Sequence, residues 1–97
     1  MENDINISLT NEGKVNKNCV TIGTNKGSVN LYFSYKTLIA VNGVCSVNNW
    51  SNTTGKYLNE IEPDKNKRVA HEEVLKEAQK QIKKVLYTTK EQIVNNL

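Results

Sequence analysis

Ser28-Val-Asn-Leu-Tyr-Phe-Ser-Tyr35, with Leu38-Ile-Ala-Val-Asn-Gly-Val44 just after it, decides the fold. Val29, Leu31, Phe33 and Tyr35 fall on one side of an extended chain, and Ser28, Asn30, Tyr32 and Ser34 on the other. That period of two belongs to a strand with one buried face. Asn42-Gly43 between two β-rich runs signals a hairpin, because both central residues of a type I′ turn need positive φ. Working outward, Ile5, Ile7 and Leu9 alternate in the same way, and Asn11-Glu12-Gly13 is a turn. Val15 to Gly23 holds a second strand around Cys19-Val-Thr-Ile22, and Asn25-Lys-Gly27 is a short loop. Residues 5–48 therefore read as an antiparallel β-meander of four or five strands.

The period changes downstream. Ser51 or Thr53 can cap a short helix over 51–62, with Tyr57, Leu58 and Ile61 inward and Gly55 as its weak point. Pro63 to Lys67 is a polar loop. From about residue 70 to residue 86, Val74, Leu75, Ala78, Ile82, Val85 and Leu86 make one apolar stripe of a long amphipathic helix. Its acids come first and its lysines last, which complements the helix dipole. Thr88 with Glu91 resembles a capping box, so the C-terminal helical part is expected to run over 70–97. The expectation is one α+β domain over 1–97, with helices packed on one face of the sheet. Ile93, Val94 and Leu97 find little core left in so small a domain, and a homodimer that buries them on a second protomer's helix is expected.

Ninety-seven residues, 37% hydrophobic and 24% charged, exclude a multidomain enzyme. No apolar run approaches the ~20 residues of a membrane span, and no signal-peptide pattern opens the chain, so the cytoplasm is the expected compartment. The +3 net charge lies in the last third, since residues 1–62 balance. That is mild polarity, and a single Arg offers little bidentate reading of phosphate or guanine. Cys19 and Cys45 are far apart with only His71 to assist, which fits free thiols and no metal site. Two glycosylation sequons, at Asn49 and Asn52, have no meaning without secretion.

No catalytic constellation emerges. His71, the only histidine, sits at a helix start between Ala70 and two glutamates, and a base needs converging partners. Phosphate-loop and nucleophile-elbow patterns are absent, and no cofactor is expected. Three binding candidates remain. Lys76, Lys80, Lys83 and Lys84 form a basic ridge beside the apolar stripe, able to meet phosphates or an acidic protein face. Tyr32 and Tyr35 interleave with polar residues, and Tyr32 opposite the core face could stack a base. The third is Asn48-Asn-Trp-Ser-Asn-Thr-Thr-Gly-Lys-Tyr57, where Asn48, Asn49, Ser51, Asn52, Thr53 and Thr54 surround Trp50 at a strand-to-helix junction. Free N–H groups at that helix start would suit an anion or carbonyl. Alternatively the hydroxyls cap the helix and Trp50 plugs the core between sheet and helix.

Ser34-Tyr-Lys-Thr37-Leu-Ile-Ala40, followed by Trp50-Ser-Asn-Thr-Thr-Gly-Lys-Tyr-Leu-Asn59, resembles a family of small phage and prophage proteins. Its pattern is S-Y-x-T-x-[IV]-A, then [YW]-S-x-T-T-x-x-[HY]-L, and the resemblance covers roughly residues 26–75. Tyr57 stands where many members carry His. The resemblance implies a viral or mobile-element source, with which fifteen Asn and twelve Lys against one Arg agree. With Tyr32 from the sheet face, Tyr35, Thr37, Trp50, Ser51, Asn52, Thr53, Thr54 and Tyr57 from these stretches are the candidate binding residues. The expected function is that of a non-catalytic phage accessory protein in the infected bacterial cytoplasm. It would bind a host protein, as an inhibitor of a bacterial defence system of the anti-CRISPR kind. The alternative is a small nucleic-acid-binding module that uses Tyr32 and the helix lysines.

Overall fold

The period-two segments form strands, and a computed structural model, which describes residues 5–11 and 13–87, places five of them in one antiparallel sheet. These are β1 (Asn6–Asn11), β2 (Asn18–Thr24), β3 (Gly27–Ser34), β4 (Thr37–Val41) and β5 (Val44–Cys45), lying side by side in chain order. Two helices follow, α1 (Asn52–Ile61) and α2 (His71–Leu86), with a single 3-10 turn at Lys65–Lys67 between them. The fold is α+β, as expected, with a short and then a longer helix after the meander. The restarted helix at Thr88 and the dimer contacts of Ile93, Val94 and Leu97 lie outside the described residues.

Register explains which side chains meet which helix. Val20, Leu31 and Val41 align across β2, β3 and β4, as do Ile22 and Val29 across β2 and β3. They join Val74, Ala78 and Val85 of α2 in one core. The next residues along, Tyr32 and Ala40, pair with each other and join Cys45 in a second core with Tyr57 and Leu58 of α1. Side chains alternate across a pleated strand, so the two helices cover opposite faces of the sheet. This corrects the expectation of both helices on one face. A bulge assists the split. Tyr32 pairs with Ala40 and Phe33 with Leu38, which leaves Ile39 as an extra residue of β4. Ile39 and Ala40 are thereby both buried in the α1 core.

Tyr35 departs from the alternation that the sequence suggested. It lies in the β3–β4 turn with φ 56° and is 51% exposed, so it faces neither helix. Asn42 turns the next hairpin at φ 51°, held by its Oδ1, which accepts from Asn30 N at 2.9 Å. Gly43 stays outside the left-handed region, so this is not the type I′ turn expected. After β5 the chain is stitched to the segment before α2, with Val69 N donating to Cys45 O and Val47 N to Val69 O, both at 2.8 Å. His71 Nε2 meets Leu38 O at 2.8 Å at the start of α2, and Thr24 Oγ1 donates to Val85 O near its end. Thus α2 runs antiparallel to β3. No helix among the described residues is long and apolar enough to cross a membrane.

Candidate functional site

The polar string at 48–57 builds a structured corner. Asn48 Oδ1 accepts from Trp50 N at 2.9 Å, and Asn48 Nδ2 donates to Ser51 O at 3.2 Å. Such an Asx turn lets a side chain replace backbone partners where the chain bends. Ser51, in extended conformation, is the N-cap of α1, and its Oγ accepts from Thr54 N at 3.3 Å. Thr53 is exposed and takes no part in the cap. Gly55 permits the corner, because a Cβ there would stand 2.8 Å from Asn48 Nδ2. Its absent side chain, read from sequence as a weakness of the helix, is the space that Asn48 occupies.

Thr54 is buried and anchors the helix to the sheet. Its Oγ1 lies 2.7 Å from Ser34 Oγ, itself buried at the end of β3. One turn on, Tyr57 packs edge-on against Tyr32 with ring centroids 6.5 Å apart, and its hydroxyl donates to Asn18 O at 3.3 Å. Lys17 lies over the Tyr57 ring and forms an ion pair with Glu60. Tyr32 lines a small cavity of about 340 Å³ together with Cys19, Tyr57 and Ile61. Burial raises the Tyr32 phenol above its ordinary value, and Cys19 adds to the rise while the Asn30 hydrogen bond opposes it. Burial likewise pushes the Cys45 thiol up, against the pull of the Arg68 guanidinium and with the help of Glu62.

A larger groove of about 620 Å³ opens on the outer side of α1. One wall carries Asn52, Lys56 and Asn59, one helical turn apart, with Gly55 between them. The opposite wall carries Lys65 and Arg68, and the floor is made by Val47 and Asn48. Arg68 is fixed in place. Its Nε and Nη2 donate to Glu62 O at 3.1 and 2.9 Å, and Nη2 also donates to Asn59 Oδ1. Walls and floor together therefore hold three cations, three amides and no carboxylate.

The structure gathers only part of the expected site. Ser51 and Thr54 shape the corner from within, and Asn52 reaches the groove. Trp50 does not plug the core: it is 37% exposed and stands edge-on to His71, with centroids 5.0 Å apart. Thr37 pairs with Ser34 and is half-buried, while Tyr35 is exposed in its turn. Lys76, Lys80, Lys83 and Lys84 are exposed on α2, with Glu73 3.6 Å from Lys76. They lie across the sheet from Tyr32, so the aromatic and the basic ridge do not share a surface. Sequence reading singled out Asn48 but missed Lys56, Asn59, Lys65 and Arg68. The spacing of Asn52, Lys56 and Asn59 at i, i+4 and i+7 was a legible signal of one helix face. The return of Lys65 and Arg68 to that face was not, because it depends on the stitch at Val69.

A family model described as a family of unknown function (DUF8033) matches residues 5–84. No curated protein and no solved structure matches the chain.

Proposed function

We propose that this chain, which belongs to the family of unknown function DUF8033, is a non-catalytic module that binds an acidic segment of a partner protein in the groove between α1 and residues 65–68. One observation carries the reading: Lys56, Lys65 and Arg68 converge on a groove whose lining holds no carboxylate. Three amides beside them can donate to and accept from a peptide backbone. Facing cations with no carboxylate in the lining favour an anionic ligand and speed its capture. The resemblance to small phage proteins makes a protein of the bacterial host the partner, with a component of a defence system as the leading kind and the host cytoplasm as the place.

A second reading, nucleic-acid binding, draws on the exposed lysines of α2. Affinity-capture from bacterial lysate, with and without nuclease, separates the two. The partner should survive nuclease and the Lys80→Glu/Lys83→Glu/Lys84→Glu variant, and should be lost with Lys56→Glu/Lys65→Glu. Loss with the α2 variant and with nuclease, but not with the groove variant, would transfer the function to the ridge. A steep fall of affinity with salt would mark that outcome.

A further inference from the structure

The sheet has two edges, and they are finished differently. β5 is two residues long, and the segment at Val69 is hydrogen-bonded alongside it. Among the described residues, β1 is the outermost strand on the other side. It runs over six residues, all of them exposed, with no register shift against β2. Its sequence, Asn-Ile-Ser-Leu-Thr-Asn, holds no charge and no proline. Edge strands are kept from pairing with other chains by charge, proline, a bulge or brevity. β1 uses none of these.

The ladder sets which backbone groups β1 turns outward. Asn30 N donates to Asn42 Oδ1 and Asn30 O accepts from Asn42 N, so both groups of Asn30 face β4. Opposite residues of an antiparallel pair alternate between bonded and non-bonded positions. Thr21, opposite Asn30, therefore turns its groups toward β1, and Ser8, opposite Thr21, turns its own toward β2. The N–H and C=O groups of Ile7 and Leu9 then point out of the edge. Their side chains lie beside Ile22 and Val20 on the face that meets α2, where they form an apolar floor, 68% and 64% exposed. Ile5, 53% exposed, continues the alternation.

We propose that β1 pairs edge to edge, antiparallel, with β1 of a second copy of this chain, about a two-fold axis at Ile7. The strand is complementary to itself there. Ile7 falls opposite Ile7 of the second copy, and Ile5 opposite Leu9. These are the residues whose backbone groups face outward, so each pair can exchange its hydrogen bonds. Opposite side chains share a face, so the two floors join into one apolar patch. A slip by one residue would set the outward groups of Ile7 against Ser8, whose own are committed to β2. An axis at Ser8 would keep the bonds but set Ile5 against Asn11. Each chain carries a net charge of +3, yet Asn6–Asn11 has no charge to oppose the approach. Such a contact is isologous and closed, and the sheet runs unbroken across the axis. The α1 groove lies on the other face and takes no part.

Sedimentation velocity and amide exchange on the full chain test it. Between micromolar and millimolar concentration the parent should pass from monomer to dimer. Over that range the amides of Ile7 and Leu9 should slow at least about tenfold, while that of Ser8, already bonded to β2, should change far less. Ile7→Lys sets like charges opposite each other at the axis and should weaken the dimer at least about tenfold. Ile7 is exposed, so the buried cores stay intact and the β3 and β4 amide shifts should hold. A parent that is still monomeric at millimolar concentration overturns the proposal. So does a dimer that survives Ile7→Lys while the amides of Ile7 and Leu9 exchange freely, which would place the contact elsewhere.

Discussion

Replacing Thr54 by Val tests whether the buried hydroxyl pair holds α1 to the sheet. The two side chains have nearly the same shape and both are β-branched, so packing and helix propensity change little. What changes is Ser34, whose Oγ loses the partner at 2.7 Å in a buried site. Stranding a buried hydroxyl costs about 1–3 kcal/mol. In a domain of this size, 2 kcal/mol lowers Tm by about 8–16 °C. The reverse change should cost less. After Ser34→Ala, Thr54 Oγ1 still has Ser51 Oγ at 3.5 Å. The double variant Ser34→Ala/Thr54→Val strands no hydroxyl, so it should be more stable than Thr54→Val alone. Thermal and urea unfolding followed by circular dichroism give all four corners of the cycle. A Thr54→Val protein as stable as the parent, or a double variant whose loss equals the sum of the singles, would refute the coupling.

Other outcomes follow from the same corner. Ser51→Ala should cost about 1 kcal/mol as loss of an N-cap, whereas Thr53→Ala should stay within about 0.5 kcal/mol, as urea titration would read. Gly55→Ala sets a helix-propensity gain of up to about 1 kcal/mol against the displacement of Asn48. Partner affinity should fall even where Tm rises, and unchanged affinity would separate Asn48 from the groove. Cys45 and Tyr32 titrate above their ordinary values in the folded chain, so the unfolded chain loses these protons first. Stability from these groups is complete below the ordinary thiol value near 9.0 and declines as pH rises through the folded values. Unfolding midpoints that hold constant from pH 8 to 11 would contradict this.

The strands were legible because alternation is a local property. Ile7 and Leu31 each declare a face by their neighbours in sequence. Which helix takes which face is not local. Leu38 and Val41 face α2, while Ile39 and Ala40 between them face α1, and a regular period of two cannot produce that order. The bulge at Ile39 reads in sequence as a plain apolar run. Tyr35 was misassigned for a related reason, as its side chain fits the alternation while its backbone turns. At the site, the cap and the Asx turn follow from residue types at short spacing. The cationic groove needed Arg68 to fold back on Glu62 O, a contact between a side chain and the carbonyl at the end of the preceding helix that no periodicity encodes.

A sheet with one helix on each side is a partition wall. The groove draws on α1 and its core, whereas the Ile5–Leu9 floor draws on β1 and the α2 side, and the buried sets share no residue. Substitutions on the two sides should therefore add in free energy, since coupling needs shared partners. For a lineage under pressure to change what it binds, this is a division of labour. The exposed groove residues Asn52, Lys56 and Lys65 can be rewritten one by one while both buried cores keep the domain folded.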